Sequence, residues 1–155
     1  MLCQKIISGG QTGVDRGALD AALELQFPCG GWCPTGREAE DGIIDGKYPL
    51  QEISNGGYSD RTKKNVEDSD GTLILYKNKL LGGSNLTYKY AKSVNKPVHR
   101  IKIIDANYSQ FLPQIINWIN QNQIQILNVA GPRASEWPNG YKHSNEIILI
   151  LIKTF

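Results

Sequence analysis

The segment Ile6-Ile7-Ser8-Gly9-Gly10-Gln11-Thr12-Gly13-Val14-Asp15-Arg16-Gly17-Ala18 outlines an anion site. An apolar strand breaks at two glycines and resumes as an amphipathic helix. The glycines let a ligand approach the main chain, and the helix turns its unpaired N–H groups and positive dipole end to the same spot. A phosphate, a carboxylate or another oxyanion suits that place. The turn is not a dinucleotide fingerprint, because its glycines stand at 9, 10, 13 and 17, and it lacks the G-K-[ST] ending of a P-loop.

A second glycine pair strengthens the reading. Gly82-Gly83-Ser84-Asn85-Leu86-Thr87 falls where a later strand ends and a helix begins, with Ser84 able to cap that helix and Thr87 within its first turn. Two such mouths side by side could hold an extended anion. Gly131-Pro132-Arg133 ends the last strand and presents a guanidinium at the same edge, though a solvated arginine after a strand-stopping proline reads the same. Arg61 and Asn65, at i and i+4 of a short helix, could reach one ligand together. Arg37, amid the acids of a long loop, is the remaining candidate, in a segment that suits a lid.

Other chemistry finds little support. Cys29 and Cys33 match no zinc spacing, and His99 and His143 stand alone, so no metal site and no nucleophile set can be assembled. Asp15 in a first helical turn favours the dipole whether or not a ligand is present. Trp32, beside the cysteines, is the tryptophan placed to stack on a ring.

Alternating elements must position these residues. Strands are expected at Cys3 to Ser8, Cys29 to Cys33, Gly71 to Tyr76, Val98 to Ile104 and Gln125 to Ala130. Helices are expected from Val14 to Gln26, opened by Thr12 or Gln11, and from Ser59 or Asp60 to about Asp68. Further helices follow Gly83, cover Leu112 to Ile119, and run from about Tyr141 to Lys153. The last run also fits a buried strand, but His143, Ile147, Leu151 and Phe155 keep a helical stripe. Residues 34–58 show neither period for long. This alternation predicts one α/β domain over residues 1–155, a Rossmann-like open parallel sheet with helices on both faces and ligands at the carboxyl ends of its strands.

Bulk properties set limits. A chain of 155 residues can bury roughly two-thirds of its unfolded surface in one core. A net charge of +2, without a block of like charges, gives no electrostatic case for a nucleic-acid partner. Three cysteines and no leader-like stretch point to a reduced, cytoplasmic protein. Ile147 to Ile152 is far short of the roughly 20 apolar residues of a membrane span.

The ordered series Ser8-Gly9-Gly10-Gln11-Thr12-Gly13-Val14-Asp15-Arg16-Gly17-Ala18-Leu19-Asp20, Gly30-Gly31-Trp32-Cys33-Pro34, Gly36-Arg37, Ala39-Glu40-Asp41-Gly42, Arg61-Thr62, Asn65-Val66, Gly82-Gly83, Leu86-Thr87 and Asn128-Val129-Ala130-Gly131-Pro132-Arg133 closely resembles the putative molybdenum carrier family over nearly the full length. The resemblance implies a Rossmann-type fold related to the lysine-decarboxylase-like proteins, which include cytokinin-activating nucleotide hydrolases and the DNA-processing protein DprA. It implies a carrier of molybdenum cofactor, of a pterin bearing a phosphate or of molybdate, assembled as a homo-oligomer, dimer or tetramer. The implied site is Gly9, Gly10, Gln11, Thr12 and Arg16 with Gly82, Gly83, Ser84 and Thr87. Cys29 stands where the family usually has histidine, and Thr35 where it usually has lysine.

Two rival functions accompany the carrier. One is a nucleoside 5′-monophosphate phosphoribohydrolase, ranked lower because the second glycine motif lacks the acid such chemistry needs. The other is a single-stranded nucleic-acid module, disfavoured by the weak charge.

Overall fold

The computed structural model describes residues 3–155. A five-stranded parallel sheet runs in the order β2-β1-β9-β7-β8, built from β1 (Lys5–Ile7), β2 (Cys29–Gly30), β7 (Gly71–Tyr76), β8 (Val98–Lys102) and β9 (Ile126–Ala130). Helices α1 (Val14–Glu24), α4 (Leu112–Gln121) and α5 (Gly140–Thr154) share one apolar cluster on one face. Helices α2 (Tyr58–Asp68) and α3 (Gly82–Ser93) pack together on the other. The expected α/β arrangement, including the helical reading of the last segment, is therefore the arrangement observed.

Alternation within the strands assigns the faces. Ile6 of β1, Leu73 and Leu75 of β7, and Leu127 and Val129 of β9 join Val14, Ala18, Ile115, Ile147 and Leu151 in the main core. Each fully buried Leu or Ile contributes about 1.5–3 kcal/mol, so this cluster is the chief source of stability. Ser144 Oγ donates to the Val14 carbonyl at 2.7 Å and Asn145 Nδ2 to that of Gly17 at 3.2 Å, locking α5 to α1. Ile150 stays exposed, whereas Leu149 packs against the core.

Four local expectations are corrected. The residue before α1 is Gly13, at φ 82°, and no side chain caps the helix, because Thr12 and Gln11 are engaged elsewhere. Likewise Gly57 precedes α2, its N–H held by Asp60 Oδ2 at 3.2 Å, and Leu81 precedes α3, so Ser84 lies inside the helix it was expected to cap.

The fourth concerns Cys29 to Cys33, which is two strands. Gly31, at φ 130°, breaks it. A Cβ there would stand 2.1 Å from the Ser8 carbonyl oxygen, a position and backbone angle that only glycine accepts. Beyond the break, β3 (Trp32–Cys33) leaves the main sheet and pairs with β6 (Gln51–Glu52). The cysteines consequently sit on separate ribbons.

Residues 34–58 are packed structure. β4 (Glu38–Ala39) and β5 (Gly42–Ile43) form an antiparallel pair, and Ala39, Ile44, Tyr48 and Leu50 bury against Leu19 and Cys33 in a second apolar cluster. Among the described residues, no helix is long and apolar enough to cross a membrane, and no cluster of His, Cys, Asp and Glu could hold a metal ion.

Candidate functional site

The chain leaves β1 and β7 in opposite directions, β1 leading to β2 through α1 on one face and β7 to β8 through α3 on the other. Between them lies β9. In an open α/β sheet this divergence opens a crevice beyond the carboxyl ends of the strands. A cavity of about 170 Å³ occupies the crevice.

Four segments build it. The turn after β1 contributes Gly9 and Gln11 and the first turn of α1 contributes Asp15, while α3 contributes Gly82, Gly83, Ser84 and Thr87. The end of β9 and the loop beyond it supply Asn128, Arg133 and Glu136, and α2 brings Tyr58, Arg61, Thr62 and Asn65 across the opposite wall. Polar side chains are buried here: Ser84, Thr87 and Asn128 are each at most 5% exposed. Thr87 Oγ1 donates to the Gly83 carbonyl at 2.8 Å, and Asn128 Nδ2 to Thr72 Oγ1 at 3.1 Å.

Arg61 and Asp15 form the electrostatic centre. Arg61 Nη1 lies 3.1 Å from Asp15 Oδ2, and both side chains are at most 10% exposed. Burial pushes the Asp15 carboxyl up to about 6, against the opposing pull of the Arg61 charge and the Gln11 N–H. Arg61 Nε is buried without any hydrogen-bond partner. A buried guanidinium donor without a partner is costly. Arg133 guards the rim, its Nε 2.9 Å from Glu136 Oε1 and 3.7 Å from Glu40 Oε2.

Of the residues singled out from the sequence, Gly9, Gln11, Arg61, Gly82, Gly83, Ser84, Thr87 and Arg133 meet in this cavity. Four lie outside it. Gly10, at φ 77°, packs against Leu50, and Thr12 Oγ1 donates to Glu40 while accepting from the Ala134 N–H at 3.0 Å. Arg16 makes a two-pronged pair with Asp41 at 2.9 and 3.1 Å and donates to the Gly10 carbonyl. Arg37 donates to the carbonyls of Ile44, Asp45, Tyr48 and Leu50, which makes it the internal brace of residues 44–50.

Asn65 lines the wall, but its amide is bound on both sides to the Trp32 backbone, at 2.8 and 2.9 Å. Trp32 faces a separate depression, with Nε1 on Asp68 Oδ2 at 2.6 Å and Lys64 over its ring. Sequence reasoning passed over Thr62, Asn128, Glu136 and Tyr58 as site residues and left Asp15 to the helix dipole. The buried polar position of Asn128 within an apolar strand was the available signal.

Comparison with known proteins agrees with this architecture. The crystal structure of the "putative molybdenum carrier protein" from Syntrophus aciditrophicus SB is similar, with 44% identity, coverage of 96% of each chain and a TM-score of 0.91. No curated protein matches the chain. The model of the circularly permutated YpsA SLOG family matches residues 6–152, which takes in every element that frames the cavity. On that match, and with its open parallel sheet and its crevice over β9, the chain belongs to the circularly permutated YpsA SLOG family.

Proposed function

We propose that this protein is a carrier that holds a small phosphorylated or oxyanionic guest, a molybdenum-cofactor-type pterin phosphate or molybdate, in the cavity over β9. The buried guanidinium of Arg61 carries this reading, because it lines a cleft framed by glycine segments and a helix start and one of its donors, Nε, has no partner. The similarity to a protein named for molybdenum carriage supplies the choice of cargo.

The residues present fit an oxyanion. Arg61 offers a fixed, planar donor seated on Gly9, Gly82 and Gly83 leave the backbone uncovered by side chains, and Ser84 and Thr87 add hydroxyls. They would bind oxygen atoms of the guest, and the metal of a molybdenum cargo would be held through its own oxygens. A cavity of about 170 Å³ is smaller than the roughly 300–1,000 Å³ of enclosed ligand pockets. The anionic end and part of a ring fit inside, with the rest of the guest passing Tyr58 and Arg133 at the mouth.

Gly10, Thr12, Arg16 and Arg37 support the site from behind in this reading, holding the turn after β1 against the second apolar cluster. Assembly into a dimer or tetramer, implied by the family resemblance, would cover the exposed Ile150 and is tested by sedimentation analysis.

The function is tested by measuring metal and pterin in protein purified from cells grown with molybdate, and by calorimetric titration with molybdate, a pterin phosphate and AMP. Saturable binding of one of them, lost in Arg61→Ala, is expected. A protein that copurifies with none and binds none would overturn the reading.

One observation favours a second reading. Asp15 and Glu136 bring carboxylates to the cleft that the α3 motif lacks, which is what a nucleoside monophosphate phosphoribohydrolase requires. Release of free base from AMP, abolished by Asp15→Asn, would put catalysis ahead of carriage.

A further inference from the structure

We propose that Asp15 makes anion capture in this cleft proton-coupled, so that the guest is bound together with one proton held between its oxyanion and the Asp15 carboxylate. This deepens the proposed function, on whose anion site it rests.

The geometry carries it. One guanidinium has two assignments: Nη1 of Arg61 is committed to Asp15 Oδ2 at 3.1 Å, while Nε is buried and free of partners. Asp15 and Arg61 line the same cavity, so an oxyanion drawn to the guanidinium settles beside the Asp15 carboxylate. Two full negative charges would then share a space nearly closed to water, where repulsion is poorly screened. Protonating Asp15 removes the repulsion and turns an acceptor into a donor toward the guest. An anion that arrives already protonated achieves the same end, by donating its own O–H to the carboxylate.

The surroundings of Asp15 favour such a step. From its own helix comes Arg16, whose charge is engaged by Asp41, and from the preceding turn the Gln11 N–H, 3.4 Å from Oδ2. Helix α2 presents Arg61 and, at the cleft mouth, Tyr58; the loop after β9 presents Arg133 and Glu136, which pair with each other. No second cation is therefore dedicated to the carboxylate among the described residues. Burial already lifts the Asp15 pKa to about 6, so a neighbouring anion needs to raise it little further for the carboxyl to be protonated near neutrality.

Sulfate is the decisive probe, because it does not itself titrate near neutrality and any proton taken up must land on the protein. Calorimetry in two buffers of different ionisation enthalpy is expected to show net proton uptake on sulfate binding. Affinity should be about tenfold tighter at pH 6.0 than at pH 7.5, since each pH unit between the free and bound pKa values changes binding up to tenfold. In Asp15→Asn the pH dependence disappears, and affinity at pH 7.5 matches that of the parent at pH 6.0.

A carboxyl ¹³C titration of Asp15 in the unaltered protein gives a readout that does not depend on how the variant folds. Sulfate saturation should shift its midpoint upward. A midpoint that does not move, or sulfate binding with one constant from pH 6.0 to 7.5, overturns the proton coupling and leaves the anion site standing. Absence of sulfate binding at every pH overturns both.

Discussion

A Cβ placed on Gly9 would fall 1.8 Å from Nη1 of Arg61, with Cδ and Cζ both at 2.7 Å. The first glycine of the sequence motif is thus the seat of the guanidinium. Its bareness serves a side chain from α2 before it serves any guest.

Gly9→Ala should therefore displace the Arg61 head and break its pair with Asp15. Stability is expected to fall by about 1–3 kcal/mol, as for an overpacked core position, while oxyanion affinity drops at least tenfold. Thermal melts and calorimetric titration measure the two effects separately. Undiminished binding in a stably folded variant would show that the Arg61 position seen here is dispensable.

Arg37→Met is expected to cost about 3 kcal/mol, because four carbonyls of residues 44–50 lose a charged donor. Amide hydrogen exchange should quicken across residues 42–52. If stability and exchange are unchanged while ligand binding vanishes, Arg37 belongs to the guest after all.

Gly31→Ala sets a steric clash against a backbone angle. At φ 130° and 2.1 Å from the Ser8 carbonyl, the added methyl should cost more than about 3 kcal/mol or prevent folding. Gly36→Ala is the control, since φ is 84° there but the nearest atom, on Glu38, is 3.7 Å away; about 1–2 kcal/mol is expected. Equal denaturation midpoints for the two variants would contradict the close approach of β1 and the residue between β2 and β3.

Glu40 fastens the β4–β5 pair to the site. Its carboxylate takes bonds from Ser135 Oγ, Thr12 Oγ1 and the Ser135 N–H, and these hold its pKa below the ordinary 4.5. The sign follows from linkage: a depressed carboxyl stabilises the fold fully above 4.5, and the contribution is lost as pH falls through the lowered value. Ser135 and Ala134 amide resonances should stay flat near neutrality and move only in acid, with no such step in Glu40→Gln. Persistence of the step in that variant would assign it to another group.

The sequence exposed the alternation of strand and helix because each long element keeps one period over several residues. The helix of Leu112, Ile115 and Ile119 is an instance, and Gly71–Tyr76 shows itself instead as an unbroken buried apolar run. Strands β2 to β6 are two residues each, too short for any period, so residues 34–58 read as a loop although Ile44, Tyr48 and Leu50 are core. The site was half legible for a related reason. Glycine pairs and Arg61 advertise themselves by type, but whether an arginine meets a guest or its own chain depends on tertiary neighbours. Arg37, spent on carbonyls, and Arg61, with Nε free, look alike on paper. Asp15 was hidden by a sufficient local explanation, the helix dipole.

Strand β9 stands between β1 and β7 although it is the last of the nine strands among the described residues, and α1 finds its main helical neighbour in α5. The middle of the sheet is therefore supplied late in synthesis. Until residues 126–154 clear the ribosome, β1 and β7 have no strand to join them and α1 shows its apolar flank to solvent or to a chaperone. Maturation of this protein should consequently be a single late closure, not a gradual growth from the amino end.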